Sequence, residues 1–274
     1  MINKYNRTLS FYGLSILIPW VLWFIVAYLS HLPEQTASMI MIQQILGMAG
    51  LGSPFLVALF FIYQDRELVQ DFKSRFFNQH HFSPLYTFLA VFLIFLAMVA
   101  GQAISVLFGH SWEQFRITGD PSFTSILFSP WIILITAPIL EELAWHCYGT
   151  DTLRRKFNLF ATSMIFAFYW VFWHLPLSFV KGYYHSNVVA EGPLYAANFI
   201  FSLFVFVILM NWIYYKSKRN ILLTIAFHLS ANISNEIFAT HPDSKVIQTV
   251  LLLMVSVYVL LNDRDMFFKK EVLD

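Results

Sequence analysis

The sequence predicts an all-α polytopic membrane protein of about eight transmembrane helices with both termini cytoplasmic, and three observations carry that prediction. Of its 274 residues, 58% are hydrophobic and only 12% charged, about half the roughly 25% charge of a soluble domain. Phenylalanine alone fills 30 positions and mean hydropathy is +0.62, so the surface of such a chain is far too apolar for water. Apolar runs close to the roughly 20 residues that cross a bilayer as a helix recur along the chain, and its lysines and arginines gather in alternate gaps between them.

The runs are 11–30, 39–63, 84–109, 126–149, 158–180, 194–215, 220–240 and 246–262. The first follows Lys4 and Arg7 with no small-residue cleavage site behind it, and reads as a retained span instead of a cleaved leader. The second contains Gly50, Gly52 and Pro54, residues that kink or break a helix. After it, DRELVQDFKSRFFN at 65–78 sets Leu68, Phe72 and Phe76 at helical spacing among charges, the pattern of an interfacial helix or of a polar connection. The fourth run carries Pro138, and the last is short. No repeat, Gly/Ser linker or low-complexity tract divides 1–274, which reads as a single membrane domain.

Basic residues favour the cytoplasmic side of a membrane. Lys4 and Arg7, then Arg66, Lys73 and Arg75, then Arg154, Arg155 and Lys156, then Lys216, Lys218 and Arg219, and finally Arg264, Lys269 and Lys270 account for 14 of the 17. Only Arg116, Lys181 and Lys245 fall in the other gaps, and an odd number of spans destroys that alternation. A net charge of +1 gives no electrostatic case for nucleic acid. A lone cysteine, Cys147, excludes an internal disulfide and a CxxC metal site, and reads as inert packing.

Ionisable residues deep in these runs are Glu141, Glu142 and His146 in the fourth, His174 in the fifth, and His228 and Glu236 in the seventh. A charge at mid-bilayer costs about 2.5–3.5 kcal/mol on insertion scales, so two adjacent glutamates ask for a function. Residues four apart share a helix face, which pairs Glu142 with His146, Trp170 with His174 and His228 with Asn232. Glu141 and Glu142 diverge by about 100°, so one can face a reactive centre while the other is held by a neighbour. Pro138 removes a backbone hydrogen bond one turn earlier, which opens the helix there. Glu236 continues the His228–Asn232 face but reads as a solvated or snorkelling end residue. Trp131, Trp145 and Trp173 read as packing or interfacial residues.

These blocks resemble the intramembrane CAAX-protease group: type II CAAX prenyl endopeptidases and the related bacteriocin-processing and immunity proteins (the CPBP family). The group carries EExxxR, FxxxH and HxxxN motifs on successive core helices. Here they read Glu141-Glu142-Leu-Ala-Trp-His146, Trp170-Val-Phe-Trp-His174 and His228-Leu-Ser-Ala-Asn232, within a motif-bearing core at 126–240. His146 stands where the family has arginine, and Trp170 where it usually has phenylalanine. The first 120 residues carry no recognisable motif.

The resemblance implies an endopeptidase acting on a peptide or protein at the membrane, prenylated or bacteriocin-like, in a bilayer read as a prokaryotic cell membrane. Glu141 with His174 then activates water, His228 and Asn232 donate to the oxyanion, and Glu142 with His146 and Trp170 supports them. Two histidines and a carboxylate, Glu141, His174 and His228, can hold zinc, and the family is often labelled a metalloprotease. There is no HExxH, however, and asparagine is a poor zinc ligand. The weight falls on metal-free water activation, with zinc kept as the candidate cofactor. The alternative is a catalytically impaired relative, a membrane binding or immunity protein left by the loss of arginine at 146. A proton-coupled transporter fits less well, since no paired broken helices or repeat appear.

Overall fold

In lipid every backbone donor and acceptor must find a partner within the chain, which drives apolar runs into helices. The computed structural model describes residues 1–77, 83–123 and 129–270, and helices dominate them. In order they are α1 (Thr8–Ser30), α2 (Ala37–Ile62), α3 (Arg66–Phe77), α4 (Pro84–Leu107), α5 (Pro130–Ala144), α6 (Thr150–Arg154), α7 (Leu159–His174), α8 (Tyr184–Glu191), α9 (Pro193–Lys216), α10 (Ile221–Glu236), α11 (Pro242–Asn262) and α12 (Arg264–Phe268). Side-chain caps start several of them. Asn158 accepts from the Ala161 amide at 2.8 Å to begin α7, and Asn220 accepts from Leu222 at 2.9 Å to begin α10. Proline occupies the first position of α4, α5, α9 and α11, where its missing N–H costs nothing.

Among the described residues, six helices are long and apolar enough to cross a membrane: Thr8–Ser30, Ala37–Ile62, Pro84–Leu107, Leu159–Phe179, Pro193–Lys216 and Pro242–Asn262. They match six of the eight runs, so the molecule is an all-α polytopic membrane protein. The fourth and seventh runs also form helices, α5–α6 and α10, but α5 and α10 are 15 and 16 residues long, short of that standard. The expected positions 126–128 and 78 lie outside the described residues. α2 is unbroken despite Gly50, Gly52 and Pro54. Gly50 serves packing instead, because the indole of Trp23 occupies the space a Cβ there would need.

Two apolar cores form, one around α1, α2 and α5–α7, the other around α4, α9, α10 and α11. α5 packs against both α2 and α10, while α7 packs against α9. α5 and α10 therefore meet at the seam between the two cores.

Between α5 and α6 the chain winds as one π turn, Trp145–Gly149, in which the Thr150 N–H reaches back to the Trp145 carbonyl. Such widened turns recur at functional sites. Arg75 of α3 is 2% exposed and is inserted against this turn. Its guanidinium donates to the carbonyls of His146 at 2.8 Å and Cys147 at 2.9 Å, to Asp151 at 3.0 Å, and to the hydroxyls of Tyr214 and Tyr5, each at 2.6 Å. Within the described part of the 65–78 stretch the chain is thus a helix, Arg66–Phe77, whose Leu68 is buried beside an ionic network.

Arg219 completes that network. It follows Lys218 in the left-handed region, φ 54° and 63°, a conformation costing roughly 1–2 kcal/mol per non-glycine residue. The turn brings Arg219 onto Asp71 through two bonds of 3.0 and 2.9 Å, and onto Asp151. Burial alone raises a carboxyl's pKa, but Arg75 and Arg219 beside Asp71 hold it below the usual carboxylate value. A depressed pKa means that this contribution is present above the unfolded value and is lost as pH falls through the folded one.

Arg75→Ala leaves Asp71, Asp151 and two buried carbonyls short of a partner. It is expected to destabilise the fold by about 3–5 kcal/mol, read as a fall in thermal midpoint in detergent, with Arg75→Lys losing less.

Candidate active site

The local chemistry begins at Pro138. Its missing N–H leaves the Leu134 carbonyl without its helical partner, and the side-chain amide of Asn232 on α10 donates to that carbonyl at 3.2 Å. The proline that opens α5 thus fastens it to the third motif.

Glu141 and Glu142 lie in the last turn of α5, 6% and 0% exposed. They point apart, as their spacing predicts. Glu141 Oε2 accepts from the indole N–H of Trp170 at 2.9 Å, with the Trp145 N–H at 3.5 Å. Glu142 turns inward between two imidazoles, accepting from His228 Nδ1 at 2.8 Å through Oε1 and from His146 Nδ1 through Oε2.

A chain of donors leads to His146. Ser163 gives its hydroxyl proton to the Leu159 carbonyl at 2.9 Å, so its oxygen accepts from Asn211 Nδ2 at 2.9 Å. The Asn211 oxygen then faces His146 Nε2 at 3.0 Å. With a carboxylate oxygen on one ring nitrogen and an amide oxygen on the other, His146 is engaged at both edges. It stands beside Glu142 in the place of the family's arginine.

His174 ends α7 and gives its Nδ1 proton to the Trp170 carbonyl at 2.8 Å, which leaves Nε2 as the nitrogen with a lone pair. Trp170 is the hub: its ring centroid lies 5.3 Å from that of His174 and 5.4 Å from that of His228, and its N–H holds Glu141. A phenylalanine supplies the ring contacts but not this bond.

Glu141, Trp170, His174, His228 and Asn232 all line one cavity of about 240 Å³. Glu142 and His146 stand behind it. A second cavity of about 260 Å³, walled by Trp23, Leu51 and Trp173, also reaches Glu141 and His174. The sequence reasoning thus named residues that the fold gathers, and it missed others. His185 of α8 stacks on His174 at 4.8 Å and lines both cavities, and its Nδ1 has no partner among the described residues. Asn211 and Arg75 were also missed. The signal for Asn211 was present, an amide within an apolar run.

Two expectations need correction or limits. Glu236 is no solvated end residue. It is 5% exposed, lines the first cavity and accepts from the Ser122 amide at 2.6 Å, because the connection after α4 folds over it. For zinc, among the described residues one group of three His, Cys, Asp or Glu side chains brings its donor atoms within 4.8 Å of one another, and it is His110, His241 and Asp243, not Glu141, His174 and His228.

Carboxylates and imidazoles gathered on a cavity among apolar helices are the equipment of an intramembrane hydrolase. Comparison with known proteins supplies the family. A family model described as type II CAAX prenyl endopeptidase Rce1-like matches residues 123–234. CAAX prenyl protease 2 of Methanococcus maripaludis is 32% identical over 274 residues, covering 98% of this chain and 99% of the relative. The chain belongs to the type II CAAX prenyl endopeptidase family and is an intramembrane endopeptidase.

Asn211→Leu removes the acceptor of His146 Nε2 and leaves a buried donor unpaired. The expected result is a loss of about 1–3 kcal/mol in stability together with slower proteolysis, measured by thermal unfolding and initial rates.

Proposed function

We propose that the chain cleaves a peptide bond near the carboxyl end of a membrane-associated, prenylated protein, using water activated by Glu141 and without an obligatory metal. One observation carries this reading: a carboxylate, two imidazoles and an amide from α5, α7 and α10 line a single cavity. The prenylated substrate follows the name of the archaeal relative, and the membrane is read as a prokaryotic cell membrane with both termini on its cytoplasmic face.

Trp170 holds one oxygen of Glu141 and leaves the other for water. His174, bare at Nε2, accepts a second hydrogen bond from that water and orients its lone pair. As the oxygen attacks, its proton passes to Glu141. The carbonyl oxygen gathers charge and meets His228 Nε2 and the second amide proton of Asn232, the first being engaged by Leu134. Glu142 under His228 supports the imidazolium that this donor role requires. When the tetrahedral intermediate collapses, Glu141 returns its proton to the leaving amine. No metal step enters.

The impaired-relative alternative rests on the missing arginine. His146, held to Glu142 at one ring nitrogen and to Asn211 at the other, keeps the acid's partner in place and supports the active reading over it.

Glu141→Gln and His174→Ala are expected to abolish cleavage while the protein still folds; wild-type rates in both would overturn the mechanism. His228→Ala or Asn232→Ala is expected to slow turnover about 10²–10³-fold. Exhaustive chelation is expected to leave the rate unchanged in the wild type and in His110→Ala, whereas a loss restored by zinc in both would place a metal in the cavity.

A further inference from the structure

α9 has its first turn at Tyr195 and its last at Lys216, so Tyr195 marks the end of the bundle away from the Arg75–Arg219 network. Three metal-binding side chains meet there that the proposed reaction does not use. His110 lies in the connection after α4, His241 is the N-cap of α11, and Asp243 sits in its first turn. His110 Nε2 is 3.1 Å from Asp243 Oδ2, and His241 Nδ1 is 3.6 Å from the same oxygen. All three donors lie within 4.8 Å of one another. A tetrahedral zinc with bonds of about 2.0–2.1 Å sets adjacent donors roughly 3.3 Å apart, between the two measured separations.

The surrounding bonds suit the same purpose. His241 Nδ1 accepts from the Asp243 amide at 3.2 Å, so that nitrogen carries a lone pair and not a proton, and ligation through it would replace this cap bond. Tyr195 donates to the other carboxylate oxygen, Oδ1, at 2.8 Å, which fixes the carboxylate with Oδ2 turned to the two imidazoles. A bond of this kind on the non-ligating atom is how proteins orient metal ligands. The two imidazoles lie side by side, tilted by 36°, with centroids 4.2 Å apart. Helix capping accounts for His241 and Asp243, but not for His110, which arrives from a different element and turns Nε2 onto the same oxygen. The positive end of α11 disfavours a cation, and the carboxylate in its first turn offsets this.

We propose that His110, His241 and Asp243 form a zinc-type divalent metal site, with water as fourth ligand, separate from the Glu141 cavity. The ion would tie the α4 connection to α11 and, through Tyr195, to α9. Tyr195 and Pro242 also line the first cavity, so the tie sets the shape of its rim.

The test uses the full-length protein in detergent, stripped with chelator, then titrated with Zn²⁺ by equilibrium dialysis and with Co²⁺ by visible absorption. The expected result is one metal per chain at micromolar free zinc, a tetrahedral cobalt spectrum and a higher thermal midpoint with zinc. His110→Ala and His241→Ala are each expected to weaken binding by about tenfold or more and to remove the thermal shift, while zinc-free proteolysis stays at its wild-type rate. Glu141→Gln and His174→Ala are expected to keep the metal. Zinc that survives His110→Ala, zinc that leaves with His174→Ala, or no zinc retained at micromolar concentration would each overturn the site. None of these outcomes bears on cleavage by Glu141, so the two readings fail separately.

Discussion

The fold is organised around a carboxylate with no access to water. Glu142 is 0% exposed, and an unpaired charge at such a position costs several kcal/mol. Its two oxygens are satisfied by imidazoles from different helices, His146 beyond α5 and His228 on α10. His146 in turn needs Asn211 on α9, and Asn211 needs Ser163 on α7. One buried acid therefore fixes the relative placement of four elements, and these elements also carry Glu141, Trp170 and His174. Because hydrogen bonds are directional, this arrangement has one register. An apolar core of equal volume would tolerate several.

A second constraint acts from the Arg75–Arg219 end of the bundle. The π turn that follows Glu142 turns two backbone carbonyls toward Arg75, and that arginine belongs to a helix outside the six long apolar spans. α3 is thereby part of the support of the site. Asp71 and Asp151 neutralise two guanidinium groups, and three tyrosines close the remaining donors and acceptors. The shape of the turn and the ionic network need each other. The wide turn presents its carbonyls to Arg75, and the cation makes their exposure inside the protein affordable.

Much of the site was legible because stranded polar residues in an apolar chain are conspicuous. Glu141, Glu142, His174, His228 and Asn232 stood out at helical spacing, and the fold gathers them. Helix positions were legible for the same reason, since lipid selects long apolar runs. The continuity of α2 was not, because Gly50 is explained only by the Trp23 ring lying against it. Arg75 was hidden among other basic residues in a segment where charge is ordinary, and only tertiary structure shows it buried. His185 was hidden in a connection. Glu236 misled because sequence position suggested a helix end in water, while the loop at Ser122 covers it.

The two runs that fail the length and hydropathy standard for a span are the two that carry the acid pair and the His228–Asn232 face. That coincidence has a physical basis. A helix that must present water and a peptide to charged groups cannot also be uniformly apolar, so its stability has to come from neighbours. α5 and α10 meet at the seam between the two cores, shielded by helices that do satisfy the lipid. A scissile bond also has chain on both of its sides. Glu141 and His174 line two cavities of similar size, so space for chain opens on two sides of this pair.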